Sequence, residues 1–486
     1  MKLPHSPIVF FFIAGLSLAL FSWLVGHPYF ADPDSFYHIG VSRLMYDHGK
    51  LAVDFDALPL TTLADTYADQ AWGYHLLLIP FLTAFDDAAG YKVLAVLLAT
   101  AVIVSVYGIA RCWRAPFPWA YPLALLLTTP FVFRLALGKP SSAAVLLFIW
   151  GVYALLKKRP WLLLGLSTVF VWTHGSWPLI VGMCALAALL QRDWRSILPP
   201  FAGVIVGLVL NPYFPANLIF FWQQTVLIGL MGFRDTIGVG REWYPYPLDD
   251  FLGDTAPILA FALLAVYGML MRRDRSPRAH TLLWSSVALF IITLRANRNI
   301  EFLAPLLVLF SASLAAAHKD FLAGFFARIP YRRAIAATLA MLSCMAALQL
   351  IQLKPLLARG YRYDAFADAS AWLKEHVAPG TLVINTRWED FPALWMRNPQ
   401  LQYAIGLDPA FLYLENPDAY HAWQRLTRGE STPDPAVIRN TFASDVIIVK
   451  KEFPALYDAL RTSPQWKLAY EGEEVWVYEA PDSTPP

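Results

Sequence analysis

Pro7-Ile8-Val9-Phe10-Phe11-Phe12-Ile13-Ala14-Gly15-Leu16-Ser17-Leu18-Ala19-Leu20-Phe21-Ser22-Trp23-Leu24-Val25 carries no charged side chain, and it leads through Gly26 to Ala31 into Asp32-Pro33-Asp34-Ser35-Phe36-Tyr37-His38. A run of this length matches the roughly 20 apolar residues that a helix needs to cross a hydrocarbon core. Only Lys2 precedes it as a positive charge, and His27-Pro28-Tyr29 follows it instead of a small-residue cleavage site, so it reads as an uncleaved signal anchor. The acids beyond it then lie at the membrane surface.

The rest of the chain extends this reading. Of 486 residues, 57% are hydrophobic and only 15% charged, with a mean hydropathy of +0.46. That balance excludes an ordinary soluble protein. The net charge of +2 points neither to nucleic acid nor to an acidic partner. Apolar runs near 7–27, 90–110, 117–136, 141–156, 161–173, 175–190, 196–211, 255–271, 280–294, 301–317 and 332–352 predict about eleven crossings. Alternate loops are basic. One set, from Lys2 through Arg111, Arg114, Lys157, Arg192, Arg272 and Lys319 to Arg333, holds sixteen basic residues against Asp193, Asp274 and Asp320. The loop 29–69 reverses the balance, with Asp32, Asp34, Asp47, Asp54, Asp56, Asp65 and Asp69 against Arg43 and Lys50. The positive-inside rule then puts the N-terminus in the cytoplasm and the C-terminal tail outside.

Two stretches do not read as crossings. Gln70 to Phe85 contains Trp72, Tyr74 and His75 and predicts an external interfacial helix. Asn211 to Gly253 predicts a surface helix over Ala216 to Leu230, then a Gly/Tyr/Pro-rich loop. From about Tyr363 the pattern becomes that of a soluble α/β unit, with helices at Ala367 to His376 and Ala436 to Phe442 and strands at Thr381 to Asn385, Asp445 to Lys450 and Glu474 to Tyr478. The division expected is a membrane domain over 1–355, with large external loops at 29–89 and 212–254, and an external α/β domain over 356–486. The three cysteines, Cys112, Cys184 and Cys344, imply no disulfide framework.

Three clusters offer chemistry. Asp32 and Asp34 place two carboxylates beside the membrane, where water, a metal or a cation must compensate them; the plainer reading is that Asp32 caps the helix that starts at Pro33. Arg295-Ala296-Asn297-Arg298-Asn299-Ile300-Glu301 sets arginines at the junction of two late crossings. A guanidinium there suits phosphate oxygens, or it snorkels and pairs with Glu301. Thr236-Ile237-Gly238-Val239-Gly240-Arg241-Glu242-Trp243-Tyr244 is a glycine-bearing loop with an embedded acid, able to close over a substrate. His75 and His174 share no metal-ligand spacing and read as cap or interfacial residues.

In their order along the chain these motifs resemble a GT-C glycosyltransferase, and within that group the catalytic subunit of oligosaccharyltransferase and its single-chain bacterial relatives. Asp34-Ser35-Phe36-Tyr37 is similar to the family's Asp-x-Tyr-Tyr motif after the first crossing, Thr236 to Glu242 to its Thr-Ile-x-Glu loop, and Arg298 with Pro305 to its late arginine seven residues before a proline. The resemblance implies a mainly α polytopic fold with a small C-terminal α/β domain. It implies transfer of a sugar or glycan from a polyprenyl-phosphate or polyprenyl-diphosphate donor to an acceptor protein, glycan or lipid on the outer face of a bacterial inner membrane, the C-terminal domain being periplasmic. Asp34 and Glu242 would be catalytic and would hold Mg2+ or Mn2+. Arg298, Lys139 and Arg295 would bind the donor phosphate, and Asp32, His38, Arg241, Trp388 and Asp390 would meet the acceptor or the loop. Two departures stand out. Leu137-Gly138-Lys139-Pro140-Ser141-Ser142 replaces the usual acidic ligand motif of the second external loop, leaving the ion a ligand short. Arg387-Trp388-Glu389-Asp390-Phe391 keeps only the Trp and a following acid of the family's Trp-Trp-Asp-Tyr-Gly. A transporter or flippase for lipid-linked or anionic substrates is the alternative, and it calls for midplane charges and paired half-helices.

Overall fold

The computed structural model describes residues 7–319 and 351–480. The expected crossing at 332–352 falls almost entirely outside them. The chain is mainly α-helical and forms two compact units: residues 1–31, 70–211 and 241–359 make the first, and 32–69, 212–240 and 360–486 the second. The sequence division at 355 is therefore crossed twice. The stretches 32–69 and 212–240 pack with the C-terminal part of the chain.

In the first unit, four helices are long and apolar enough to span a membrane: Pro7–Val25, Asp87–Cys112, Pro277–Arg295 and Asn297–Ala317. This unit makes the chain an integral membrane protein. The count among the described residues rises to six if two sharply bent helix pairs are each one span, against about eleven expected. The reason is local. The apolar run at 117–136 breaks into Ala120–Leu126 and Thr129–Ala136, and the latter turns by 119° into Pro140–Leu156. Helices Pro160–Thr173 and Pro178–Gln191 have 14 residues each, about 21 Å of rise, shorter than the core. Ile300–Ala317 is the hub, with every side chain from Ile300 to Leu314 buried. Pro140, Pro160, Pro178 and Pro277 each open a helix at a position where the missing N–H is of no consequence. Asp86 accepts from the Ala89 N–H at 2.8 Å to start Asp87–Cys112, the longest of the described helices.

Close packing in this unit depends on small residues. Gly203 and Gly207 of Leu198–Val209 lie against Pro160–Thr173, where a Cβ at Gly203 would stand 2.3 Å from the Leu164 carbonyl oxygen. Thr168 Oγ1 donates to the Gly203 carbonyl at 3.0 Å and Trp172 Nε1 to that of Gly207 at 2.8 Å, the close approach typical of glycines spaced by four.

The second unit centres on a five-stranded sheet of β1 (Leu382–Asn385), β2 (Gln402–Tyr403), β3 (Val446–Lys450), β4 (Lys467–Glu471) and β5 (Val475–Glu479), in the order β2-β1-β3-β5-β4. The first three pair in parallel and β5 is antiparallel to both of its neighbours. Helices Ala367–His376 and Pro435–Phe442 match the sequence reading to within one residue. Helix Asp34–His48 packs on helix Phe391–Arg397, with Gly40 admitting the Trp395 ring so closely that a Cβ would stand 3.0 Å from it. Tyr403 N–H donates to the Ala57 carbonyl at 2.8 Å, and Val53 N–H to the Tyr213 hydroxyl at 2.8 Å. These contacts tie both loops into the unit.

Candidate functional site

The first unit gathers charged groups from four stretches of chain around one carboxylate. Helix Thr129–Ala136 carries Arg134, whose side chain is only 7% exposed. Just beyond it Gly138 adopts a positive φ of 75°, and a Cβ there would stand 2.8 Å from the Tyr91 ring, so glycine is required at this turn. The Tyr74 hydroxyl donates to the Gly138 carbonyl at 2.5 Å, and the chain leaves the turn with Lys139. Arg298 sits in the turn Asn297–Asn299, and Glu301 follows in the first turn of Ile300–Ala317. Pro305 in this helix has no N–H to offer the Glu301 carbonyl.

Glu242 lies on the short turn Arg241–Trp243. That turn is clamped to 297–299 by Asn297, whose N–H donates to the Tyr244 carbonyl at 3.1 Å and whose Nδ2 donates to the Arg241 carbonyl at 3.0 Å. The Arg298 guanidinium stacks 4.6 Å over the Trp243 ring.

These placements converge. Glu242 Oε2 accepts from Arg134 Nη1 at 2.6 Å and stands 3.8 Å from Lys139 Nζ, while Oε1 is 2.9 Å from Arg298 Nη1. Arg134 Nε donates to Glu301 Oε2 at 3.1 Å. Three cations thus face two carboxylates. Burial pushes the Glu242 carboxyl up, but Arg298, Lys139 and Arg134 more than offset it and hold the group well below its usual range. His174, beside the same cations, is pushed down to about 3 by burial and by Arg298 and Arg134. Its Nδ1 accepts from the Ser176 N–H at 3.0 Å, which leaves the proton of the neutral ring on Nε2. Two buried polar atoms of the cluster, Arg134 Nη2 and Glu301 Oε1, have no hydrogen-bond partner among the described residues.

Of the residues singled out in the sequence, Lys139, Glu242 and Arg298 come together here. Arg241 meets Asn297 through its backbone carbonyl, and Arg295 ends helix Pro277–Arg295 with its side chain exposed. Glu301 pairs with Arg134 and Arg298 with Glu242, so the alternative reading of an Arg298–Glu301 pair gives way to two other pairs. Arg134 and Glu301 were not anticipated as site residues. The signal was a lone arginine inside the apolar stretch Thr129–Ala136, a costly placement that by itself marks a functional position.

Asp32, Asp34, His38, Trp388 and Asp390 belong to the second unit. Asp32 Oδ1 accepts from the Asp34 N–H at 3.0 Å, the local capping role. His38 is buried on Asp34–His48 beside Tyr37, whose hydroxyl lies 2.6 Å from that of Tyr67. Trp388 is half-buried in the turn Trp388–Asp390. Asp390 is buried, with Oδ1 accepting from the Tyr361 hydroxyl at 2.6 Å and from Lys450 Nζ at 3.0 Å. Burial raises its pKa against the pull of Lys450 and Tyr361.

The expected Mg2+ or Mn2+ does not fit the groups around Glu242. A hard divalent ion needs several oxygen donors, and this carboxylate is surrounded by guanidinium and ammonium groups. Nowhere among the described residues do three or more His, Cys, Asp or Glu side chains cluster as a metal site.

No protein-family model matches the chain, and no curated protein matches it. Solved structures do. The archaeal oligosaccharyltransferase AglB from Archaeoglobus fulgidus, in complex with an inhibitory peptide and a dolichol-phosphate, superposes with a TM-score of 0.62 at 12% identity, over 98% of this chain and 75% of that one. ArnT from Cupriavidus metallidurans in the apo state superposes with a TM-score of 0.58 at 14% identity, over 96% of this chain and 97% of that one. The same ArnT bound to undecaprenyl phosphate gives a TM-score of 0.54 at 14% identity, over 95% and 97%.

Proposed function

We infer from the GT-C fold of this chain, an integral membrane protein shaped like those transferases, that it moves a sugar or glycan from a polyprenyl-phosphate or polyprenyl-diphosphate donor to an acceptor. The carrying observation is the buried cluster of Arg134, Lys139 and Arg298 around one carboxylate. Such a cluster has no place in a lipid-facing wall, and it is the charge needed to hold a phosphate that departs from a sugar. Two structural neighbours contain dolichol-phosphate and undecaprenyl phosphate, which supports the donor class.

In the reaction, an acceptor oxygen or nitrogen attacks the anomeric carbon and the carbon–oxygen bond to phosphate breaks. The electron pair leaves with the phosphate, which Arg298 and Lys139 receive. The proton of the acceptor goes to Asp34, assigned on the motif it shares with the family. The basic loops support a cytoplasmic N-terminus and a C-terminal domain on the opposite side of the membrane.

The test is transfer from a radiolabelled polyprenyl-linked sugar to a panel of protein, glycan and lipid acceptors by the purified protein. Asp34→Ala and Arg298→Ala are each expected to lower the rate at least about 100-fold, in line with the loss of a group that acts in the transition state. Undiminished transfer in both variants would overturn the assignment.

A further inference from the structure

The Glu242 carboxylate sits where an anion bearing several oxygens belongs. One oxygen is bonded to Arg298 and the other to Arg134, with Lys139 at 3.8 Å. A guanidinium pair and an ammonium converging on two oxygens is the arrangement that phosphate shares with carboxylate. Glu242 also differs from the other carboxylate of the cluster. Glu301 is on the buried hub helix with 2% of its side chain exposed, whereas Glu242 is 22% exposed on a three-residue turn.

Arg134 is built to serve whichever anion is present. Its Nε is fixed by Glu301, its Nη1 reaches Glu242, and its buried Nη2 has no partner among the described residues. An arginine fixed through Nε by Glu301, with Nη1 on Glu242 and a buried Nη2 that has no partner among the described residues, keeps a donor in reserve for an anion with more oxygens than a carboxylate. Of its terminal nitrogens, the Glu242 carboxylate engages only Nη1.

We propose that Glu242 holds the place of the donor's phosphate in the unliganded enzyme, and that Arg134, through Nη1 and the now unpaired Nη2, is the phosphate's third cationic ligand once it displaces that carboxylate. The idea rests on the reading of this cluster as the donor phosphate site. Charge supports the exchange. With Glu242 in place the three cations exceed the carboxylates by one charge, and with Glu242 withdrawn they exceed Glu301 by two, the charge of a departing phosphate monoester. Withdrawal also releases Arg298 from its stack with Trp243, which is next to Glu242.

Binding of undecaprenyl phosphate to the full-length protein in detergent tests this, with undecaprenol and inorganic phosphate as the arms that separate lipid, headgroup and their combination. The wild type is expected to prefer undecaprenyl phosphate to undecaprenol, and Arg298→Ala to weaken it about 10-fold or more. Glu242→Gln, which keeps the shape and removes the competing charge, is expected to tighten it at least about 5-fold. Because Arg134→Gln alone strands Glu301, the Arg134→Gln/Glu301→Gln double variant is used, and it is expected to bind about 10-fold more weakly than Glu301→Gln. A melting transition in the same detergent confirms folding. If Arg298→Ala binds as the wild type does, the phosphate-site reading fails. If Arg298→Ala weakens binding while Glu242→Gln leaves it unchanged or weaker, the displacement idea fails and the site stands. Equal binding by Glu301→Gln and the double variant removes Arg134 from the ligands.

Discussion

Glu301, on the buried hub helix, has one oxygen on Arg134 Nε and the other without a partner among the described residues. Removal of either member of such a pair strands a buried charge, a loss of about 3–5 kcal/mol. Glu301→Ala is therefore expected to lower the melting point in detergent far more than Glu301→Gln, which keeps the shape and a carbonyl acceptor. The Glu242 carboxyl makes a pH prediction. Its folded pKa lies well below its ordinary 4.5, so its contribution to stability is complete above about 4.5 and disappears as pH falls toward the folded value. Melting points of wild type and Glu242→Gln should be separated by a constant amount from pH 7 down to about 4.5 and converge in more acid solution; a gap that persists there would contradict the ion-pair account. Arg298 was legible in the sequence because a charge at the junction of two apolar runs is conspicuous, and Glu242 because an acid follows two glycines in a loop. The pairing was not, since Arg134 meets Glu242 across 108 residues and Glu301 across 167, and no local pattern encodes a partner so far away.

Helices show the same split between what is local and what is not. In the second unit, local patterns marked Ala367–His376 and β3 almost to the residue; the helix has one dry and one wet face, whereas β3 is a short apolar run buried on both faces. In the first, helices apolar on all sides give only their lengths, so the break between Ala120–Leu126 and Thr129–Ala136 and the turn of 119° at Gly138 were invisible. That turn aims Lys139, yet its cause is the Tyr91 ring lying against Gly138. Helix contact through Gly203 makes its own prediction. Gly203→Ala sets a Cβ against the Leu164 carbonyl, which must force the two helices apart at a loss of about 1–3 kcal/mol. Detergent melting measures it, and an unchanged midpoint would argue against the observed packing.

At the scale of the chain, the division near residue 355 follows composition but not contact. The C-terminal part lies in one unit with 32–69 and 212–240. Residues 356–486 expressed alone lack the helix Asp34–His48 that covers Trp395 and the loop whose Phe55 meets Phe391 and Trp395. The fragment is expected to aggregate, and co-expression with 32–69 to improve its solubility; a soluble, cooperatively melting fragment would show that the loops are dispensable. Charge alternation along the loops, by contrast, is read without any contact information.

The interleaving has a consequence for biogenesis. Segment 32–69 leaves the ribosome 291 residues ahead of the start of its last companion at 360, a delay on the order of tens of seconds at ordinary elongation rates. During that interval the buried faces of Phe36, Tyr37 and Phe55 have no domain to fold into. The newborn chain thus needs shelter for an early piece until its end arrives.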